Sequence, residues 1–335
     1  MNRIFASTLT RIAMITMSVG LCLSAQAAEP SAAMKPEPGA FKMGTQPWLG
    51  YGQWQVAEKK GIFKKNGLDK VEIVNFNEDK DVNAALASGK IDAASLSAHT
   101  AMGIAAAKIP VKIVMLLDES VAADALIVDG SIKSLADLKG KQIAFEEGTT
   151  SDILLHRALD SAGISWHDIV PVPMSAAAAG TALIAKRVSA AVTYEPYLGS
   201  AKQQNSTVHT LFSGADDPGI ISDVFVVRED VLKERPGQVL ALLKSWDEAL
   251  KSYNDNTVEG RKIIADAVGA APEELESGFN GVKFYSLEEN KSLLTGTFAN
   301  ETFSHIQKSA QGAGLLNGPL KSSDLIDARF VEIVK

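Results

Sequence analysis

DVNAALASGKIDAASLSAHTAMGIAAAK, residues 81–108, carries the pattern that decides the fold. Asp81–Ser88 spaces its apolar residues as a helix does and stops at Gly89, the residue type that most easily takes the left-handed turn past a helix end. Ile91–Leu96 is a short run of small and apolar residues, the signature of a strand covered on both faces, and Thr100–Lys108 is helical again. A buried strand between two helices predicts a parallel βαβ unit and an α/β fold.

Working outward, the same alternation continues. Toward the N-terminus lie a strand at Phe41–Gly44, a helix at Gln53–Lys60 closed by Gly61, and a strand at Val71–Phe76. Toward the C-terminus, strands are predicted at Val111–Leu117 and Ala125–Val128, and the pattern restarts with a strand at Gln142–Phe145 and a helix at Asp152–Ala162. Strands at Ile169–Val172, Ala190–Thr193, His209–Phe212 and Val224–Arg228 follow, then a helical tail from Pro236 to Gly312. ALASGKIDAASLSAH (85–99) and ALIAKRVSAAVTYEPY (182–197) share one layout: helix end, turn, small-residue strand, polar or aromatic loop. A buried parallel strand delivers such a loop to the carboxyl edge of its sheet, where open α/β folds bind ligands. Two loops of this kind, one from each half, predict a cleft between two lobes.

Residues 1–27 read as a signal peptide: Arg3 and Arg11 precede the short apolar stretch Ile12–Leu23, and Ala25-Gln26-Ala27 offers a small-x-small cleavage pattern. Cleavage near Ala27 sends the chain to the periplasm with no membrane insertion afterwards. Leu21 before Cys22, the only cysteine, does not suit lipoprotein processing, so the mature chain keeps no thiol for a disulfide, a metal site or a nucleophile. Residues 28–40 read as a flexible lead-in. Loss of two arginines takes the formal charge from −7 to −9, with no basic cluster, which speaks against nucleic acid or an anionic surface as partner. The five histidines stand apart, and no HExxH, GxSxG, GxGxxG or GxxxxGK[ST] occurs, so the sequence predicts no catalysis, no metal and no cofactor.

Several segments in register resemble the type II periplasmic solute-binding proteins, in the group that takes up taurine, alkanesulfonates, nitrate and thiamine precursors. They are VAEKKGIFKKNGLDKVEIVNF (56–76), ALASGKIDAASLS (85–97), IKSLADLKGKQIAFEEGTTSDILLHRAL (132–159) and AAVTYEPYLGSA (190–201). The resemblance implies a two-lobe clamp, each lobe a mostly parallel sheet flanked by helices. It places lobe 1 at 41–128 and 223–335, and lobe 2 at 129–222. It implies a monomeric receptor that hands a small organic solute, aminosulfonate- or alkanesulfonate-like or amine-bearing, to an ABC permease and its ATPase. A pyrimidine or thiamine precursor, nitrate, or an enzyme on the same fold are the alternatives.

The predicted pocket takes residues from loops after strands. GTQPWLGYGQW (44–54) supplies Gln46, Trp48 and Tyr51, while Trp54, inside the helical pattern, is assigned to the core. Ser95, Ser97 and His99 end the Ile91–Leu96 strand and lead into a helix. Thr149, Thr150 and Ser151, after Gly148, stand before the Asp152 helix, where hydroxyls and unpaired amides suit an anion. Asp118, Glu147, Glu195 and Asp223 fall at strand ends, and none of these loops carries Lys or Arg. That acidity favours a zwitterion or an amine over an inorganic anion, with Tyr194 and Trp48 offering ring faces to an ammonium.

Overall fold

In a computed structural model, which describes residues 30–76 and 79–334, the chain forms two sheets. The predicted signal peptide and Cys22 lie outside the described residues. The first sheet is built from β1 (Ala40–Thr45), β2 (Lys70–Asn75), β3 (Ala93–Ser97), β4 (Val111–Ser120), β10 (Ser222–Arg228) and β11 (Val282–Phe284), in the order β11-β4-β10-β3-β1-β2. The second holds β5 (Asp124–Val128), β6 (Gln142–Phe145), β7 (Val170–Pro173), β8 (Ala190–Tyr194) and β9 (His209–Ser213), in the order β7-β6-β8-β5-β9.

The strand directions refine the expectation of mostly parallel sheets. β1, β2 and β3 pair in parallel, but β10 returns antiparallel between β3 and β4, and β5 lies antiparallel between β8 and β9. Most strands of each sheet therefore point one way while the pairings are mixed. β11 was not foreseen: three residues set among helices have no periodicity to read, and they pair with Asp118–Ser120.

β5 belongs to the second sheet. Read as the last strand of the first lobe, it pairs instead with β8 and β9, so the chain crosses at 121–123, and it returns at 214–221. The two crossings are tied together. Ala215 N donates to Val121 O at 2.8 Å and Ser120 N to Ile221 O at 2.9 Å. Gly281 O accepts from the amides of Val121, Ala122 and Ala123 at 2.8, 2.9 and 3.3 Å, a closeness only glycine permits, because a Cβ there would lie 2.6 Å from Ala123 N.

The lead-in is also ordered near its end. Glu37 accepts from Gly237 N and Gln238 N at 3.1 and 2.8 Å, so its carboxylate satisfies amides at the start of the Pro236–Asp255 helix, where negative charge is stabilising. In the first lobe the core centres on Trp54, fully buried against Phe63, Phe225 and Trp246 with ring centroids 6.4, 5.0 and 4.8 Å away. Burying rings of this size is a large part of what holds a lobe together, each contributing a few kcal/mol beyond an exposed position.

Candidate functional site

The site begins with a cross-strand row. In the first sheet Ser97 pairs with Asp223, and Asp223 with Asp118, which places the three side chains on one face at the carboxyl ends of β3 and β4. One step inward the row is Ser95, Phe225 and Met115. Two tryptophans from the loop and helix after β1 divide these rows. Trp54 covers the inner one and donates its Nε1–H to Ser95 Oγ at 2.9 Å, while Trp48 reaches the outer one and donates to Asp118 Oδ1 at 3.4 Å.

Ser95, which the sequence suggested for the pocket, is fully buried and engaged by Trp54. Gly50 lets the loop settle on the outer row, since a Cβ there would lie 2.3 Å from Trp48 Nε1 and 2.4 Å from Asp118 Oδ2. Asp118 is 1 % exposed and its carboxyl is pushed well above the usual range, first by burial and then by the neighbouring charge of Asp223. Ser97 Oγ lies 2.9 Å from His99 Nδ1 and 2.8 Å from Thr100 Oγ1, so its hydroxyl ties down the first turn of the helix Ala98–Ala106.

The second lobe brings Asp124, the first residue of β5, up to this row. Asp124 pairs in register with Tyr194, and its carboxyl rises to about 6 through burial, opposed by bonds from the Ser120 and Thr150 hydroxyls. Asp124 was missed in the sequence; a single acid opening the run Asp124–Val128 is the signal that points to it. Tyr194 sits 5.6 Å from Tyr197, ring to ring, and its hydroxyl is held near 12 by burial and by Glu146. Glu195 is buried, accepts from Gly199 N at 3.0 Å, and lies across the seam from Gly278 and Leu49 of the first lobe. Beside it a groove of about 620 Å³ runs between Pro196–Gln203 and Glu273–Asn280 along the flank of the same seam.

Thr149, Thr150 and Ser151 do open a helix, Thr150–Ser161, but much of its amide array is already used. Thr149 Oγ1 caps Ser151 N at 3.3 Å, and Asp152 Oδ2 takes the Gly148 amide at 3.0 Å. The helix start thus carries its own carboxylate, which departs from the anion seat expected there. Ser151 is buried and its hydroxyl has no hydrogen-bond partner among the described residues. Glu147 is exposed and joins no part of the row. Gln46 and Tyr51 line, with Trp48, a narrow recess against Ile264 and Val268. The structure thus gathers Trp48, Ser97, His99, Asp118, Asp223, Thr150, Tyr194 and Glu195 around the seam, with Ser95 in the core and Glu147 exposed. Among the described residues no cluster of His, Cys, Asp or Glu has metal-site geometry.

Known proteins of similar sequence and shape fit this architecture. A binding protein of Brucella abortus is 28% identical over 272 residues, covering 80% of this chain and 84% of that protein. The taurine-binding periplasmic protein of Escherichia coli is 25% identical over 202 residues, 60% of this chain and 63% of its own length. The crystal structure of the periplasmic aliphatic sulphonate binding protein SsuA of Escherichia coli superposes with a TM-score of 0.69 at 23% identity, covering 83% of this chain and 92% of SsuA. The NMT1/THI5 like family profile matches residues 52–257. With that match and two sheets joined by paired crossings, the chain belongs to the NMT1/THI5-like family and has the type II periplasmic binding protein fold.

Proposed function

We propose that this chain is the solute-binding component of an ABC importer, exported to the periplasm, which captures one small organic solute between its lobes and catalyses nothing. The observation that carries the reading is the seam itself. Trp48, Asp118 and Asp223 of one sheet meet Asp124, Thr150 and Glu195 of the other, and the two crossings at 121–123 and 214–221 provide a hinge between them. In this reading the first lobe is 40–120 with 222–334 and the second is 124–213. Closure of such a clamp around ligand presents a new surface to a membrane permease and its ATPase. The solute is amine-bearing or sulfonate-like, in keeping with the taurine and sulfonate receptors among the relatives. A lining of carboxylates sets nitrate aside.

Calorimetry and thermal shift on the mature protein with aminosulfonates, sulfonates, amines, nitrate and pyrimidines test the proposal. Saturable one-to-one binding with the solute recovered unchanged supports it, because a ligand that binds only the native state raises the melting point by mass action. Conversion of the solute, or no binding across the whole set, overturns it.

A further inference from the structure

Asp118 is a buried carboxyl with an open position. Its Oδ2 has no hydrogen-bond partner among the described residues, and its Oδ1 has the long 3.4 Å bond from the Trp48 indole. The charges acting most strongly on it are Asp223, across the β4–β10 pair, Asp124, from the second lobe, and Glu119, its neighbour in the chain; all are negative. Lys283 goes to Glu119 at 3.6 Å while shared with Glu289 at 3.4 Å, and His99, bonded through Nδ1 to Ser97, is the titratable ring beside the strand partner of Asp223. Tyr285 also faces Glu119, and Glu195 faces Asp124. Removing a carboxylate from water without a partner costs several kcal/mol, and one acid beside another is worse placed still. Such an arrangement is stable in the charged state only when a cation completes it.

The opposite lobe points the same way. The helix start at Thr149–Ser151, the natural seat for an anion, is filled by the Thr149 cap and the Asp152 carboxylate. One residue beyond Thr150, whose hydroxyl bonds Asp124, the buried Ser151 hydroxyl is a second polar group without a partner among the described residues.

Resting on the reading of the seam as a solute site, we infer that the group recognised there is an ammonium or other organic cation, seated against Asp118 and Asp223 beside Trp48 and closed over by Asp124. A sulfonate or carboxylate on the same molecule is tolerated only at a distance from this row. The arriving cation stabilises the ionised carboxyls, so Asp118 and Asp124 give up protons to solvent as the solute binds. Binding therefore releases protons and tightens as pH rises toward 6, whereas a solute held through an anionic group would take protons up.

The test is isothermal titration calorimetry on the full mature chain, in two buffers of different ionisation enthalpy at pH 6. The probes are taurine, ethanesulfonate, ethylamine, choline and putrescine, followed by a wider thermal-shift set of amines and their amine-free counterparts. The expected result is that binders carry a cationic nitrogen, that proton release accompanies binding, and that Asp118→Asn and Asp223→Asn each weaken it about 10- to 100-fold. Asn keeps the shape and, at Asp118, removes a carboxyl whose Oδ2 has no partner among the described residues, so Asp118→Asn is expected to melt at or above the parent temperature, which separates lost binding from lost folding. Ethanesulfonate binding within threefold of taurine, proton uptake, or an unchanged affinity in both variants overturns the cation assignment and leaves the receptor reading standing. Binding of no probe at all removes both.

Discussion

Lys308 Nζ lies 2.6 Å from Asp160, and that ion pair joins the helix Phe303–Gly312 of the C-terminal region to the helix Thr150–Ser161 of the second lobe. It is the outer end of a belt. Arg157 bonds both Asp160 and Asp217, and Asp217 accepts from His305 of the C-terminal helix at 3.2 Å. Lys308 is two-thirds exposed, whereas Arg157 and Asp217 are mostly covered. Exposed pairs contribute at most about 1 kcal/mol, and covered ones leave a stranded charge when cut. Lys308→Ala is expected to change stability by less than about 0.5 kcal/mol and Arg157→Ala to cost about 1–2 kcal/mol. Chemical denaturation of the two variants checks the ranking.

The engagement of Ser95 by Trp54 separates core from site. Ser95→Ala strands the indole N–H in the core and is expected to cost about 1–3 kcal/mol while leaving ligand affinity within twofold. Trp54→Ala opens a large cavity beside Phe225 and Trp246 and is expected to cost about 3–5 kcal/mol. Urea melts give the first quantities and calorimetry below the melting range the last; a large affinity loss in Ser95→Ala returns that residue to the pocket.

Asp152 and His156 impose opposite pH dependences. Burial lifts Asp152 to about 6 and lowers His156 to about 4. Between pH 4 and 6 the native Asp152 keeps a proton that the unfolded chain has lost, so its contribution is present at low pH and disappears as pH rises through 6. His156 is neutral when folded and charged when unfolded below 6.5, so its contribution is present above 6.5 and lost as pH falls toward 4. Asp152→Asn removes the first effect and is expected to raise stability at pH 8 by about 1–3 kcal/mol with little change at pH 4. Urea melts at the two pH values decide it: a variant less stable at pH 8 contradicts the sign.

Gly50 and Glu195 bracket the seam from its two sides. A methyl group on Gly50 would collide with Trp48 and Asp118. Gly50→Ala is expected to weaken ligand binding more than tenfold and to cost about 1–3 kcal/mol, as overpacking does. Glu195 already spends one oxygen on Gly199 N, so Glu195→Gln is expected to weaken binding less than Asp118→Asn does. Side-by-side titrations check the order.

The fold was legible because each helix–glycine–strand unit announces itself locally. What escaped was the partnership of short segments. Asp124–Val128 is an apolar run that either sheet could have taken, and only its pairing with β8 and β9 assigns it. Val282–Phe284 is a strand by virtue of the edge it meets. Within the site, Ser95 and Ser97 share one strand face, and no spacing rule tells which of them a tryptophan from another element will cover. The acids were visible as a group. Their convergence was not, since Asp118 and Asp223 stand more than a hundred residues apart in the chain.

β10 lies between β3 and β4, and its residues come after the whole of the second sheet. During synthesis or passage through a narrow channel, β3 and β4 have no middle strand to pair with until residue 228 has emerged. The second sheet, whose strands run from 124 to 213, has all five of them by then and can consolidate first. Its neighbour waits with two open edges, and closing them is a long-range step of the kind that folds slowly. The lobe that begins earliest in the sequence is the last to be completed.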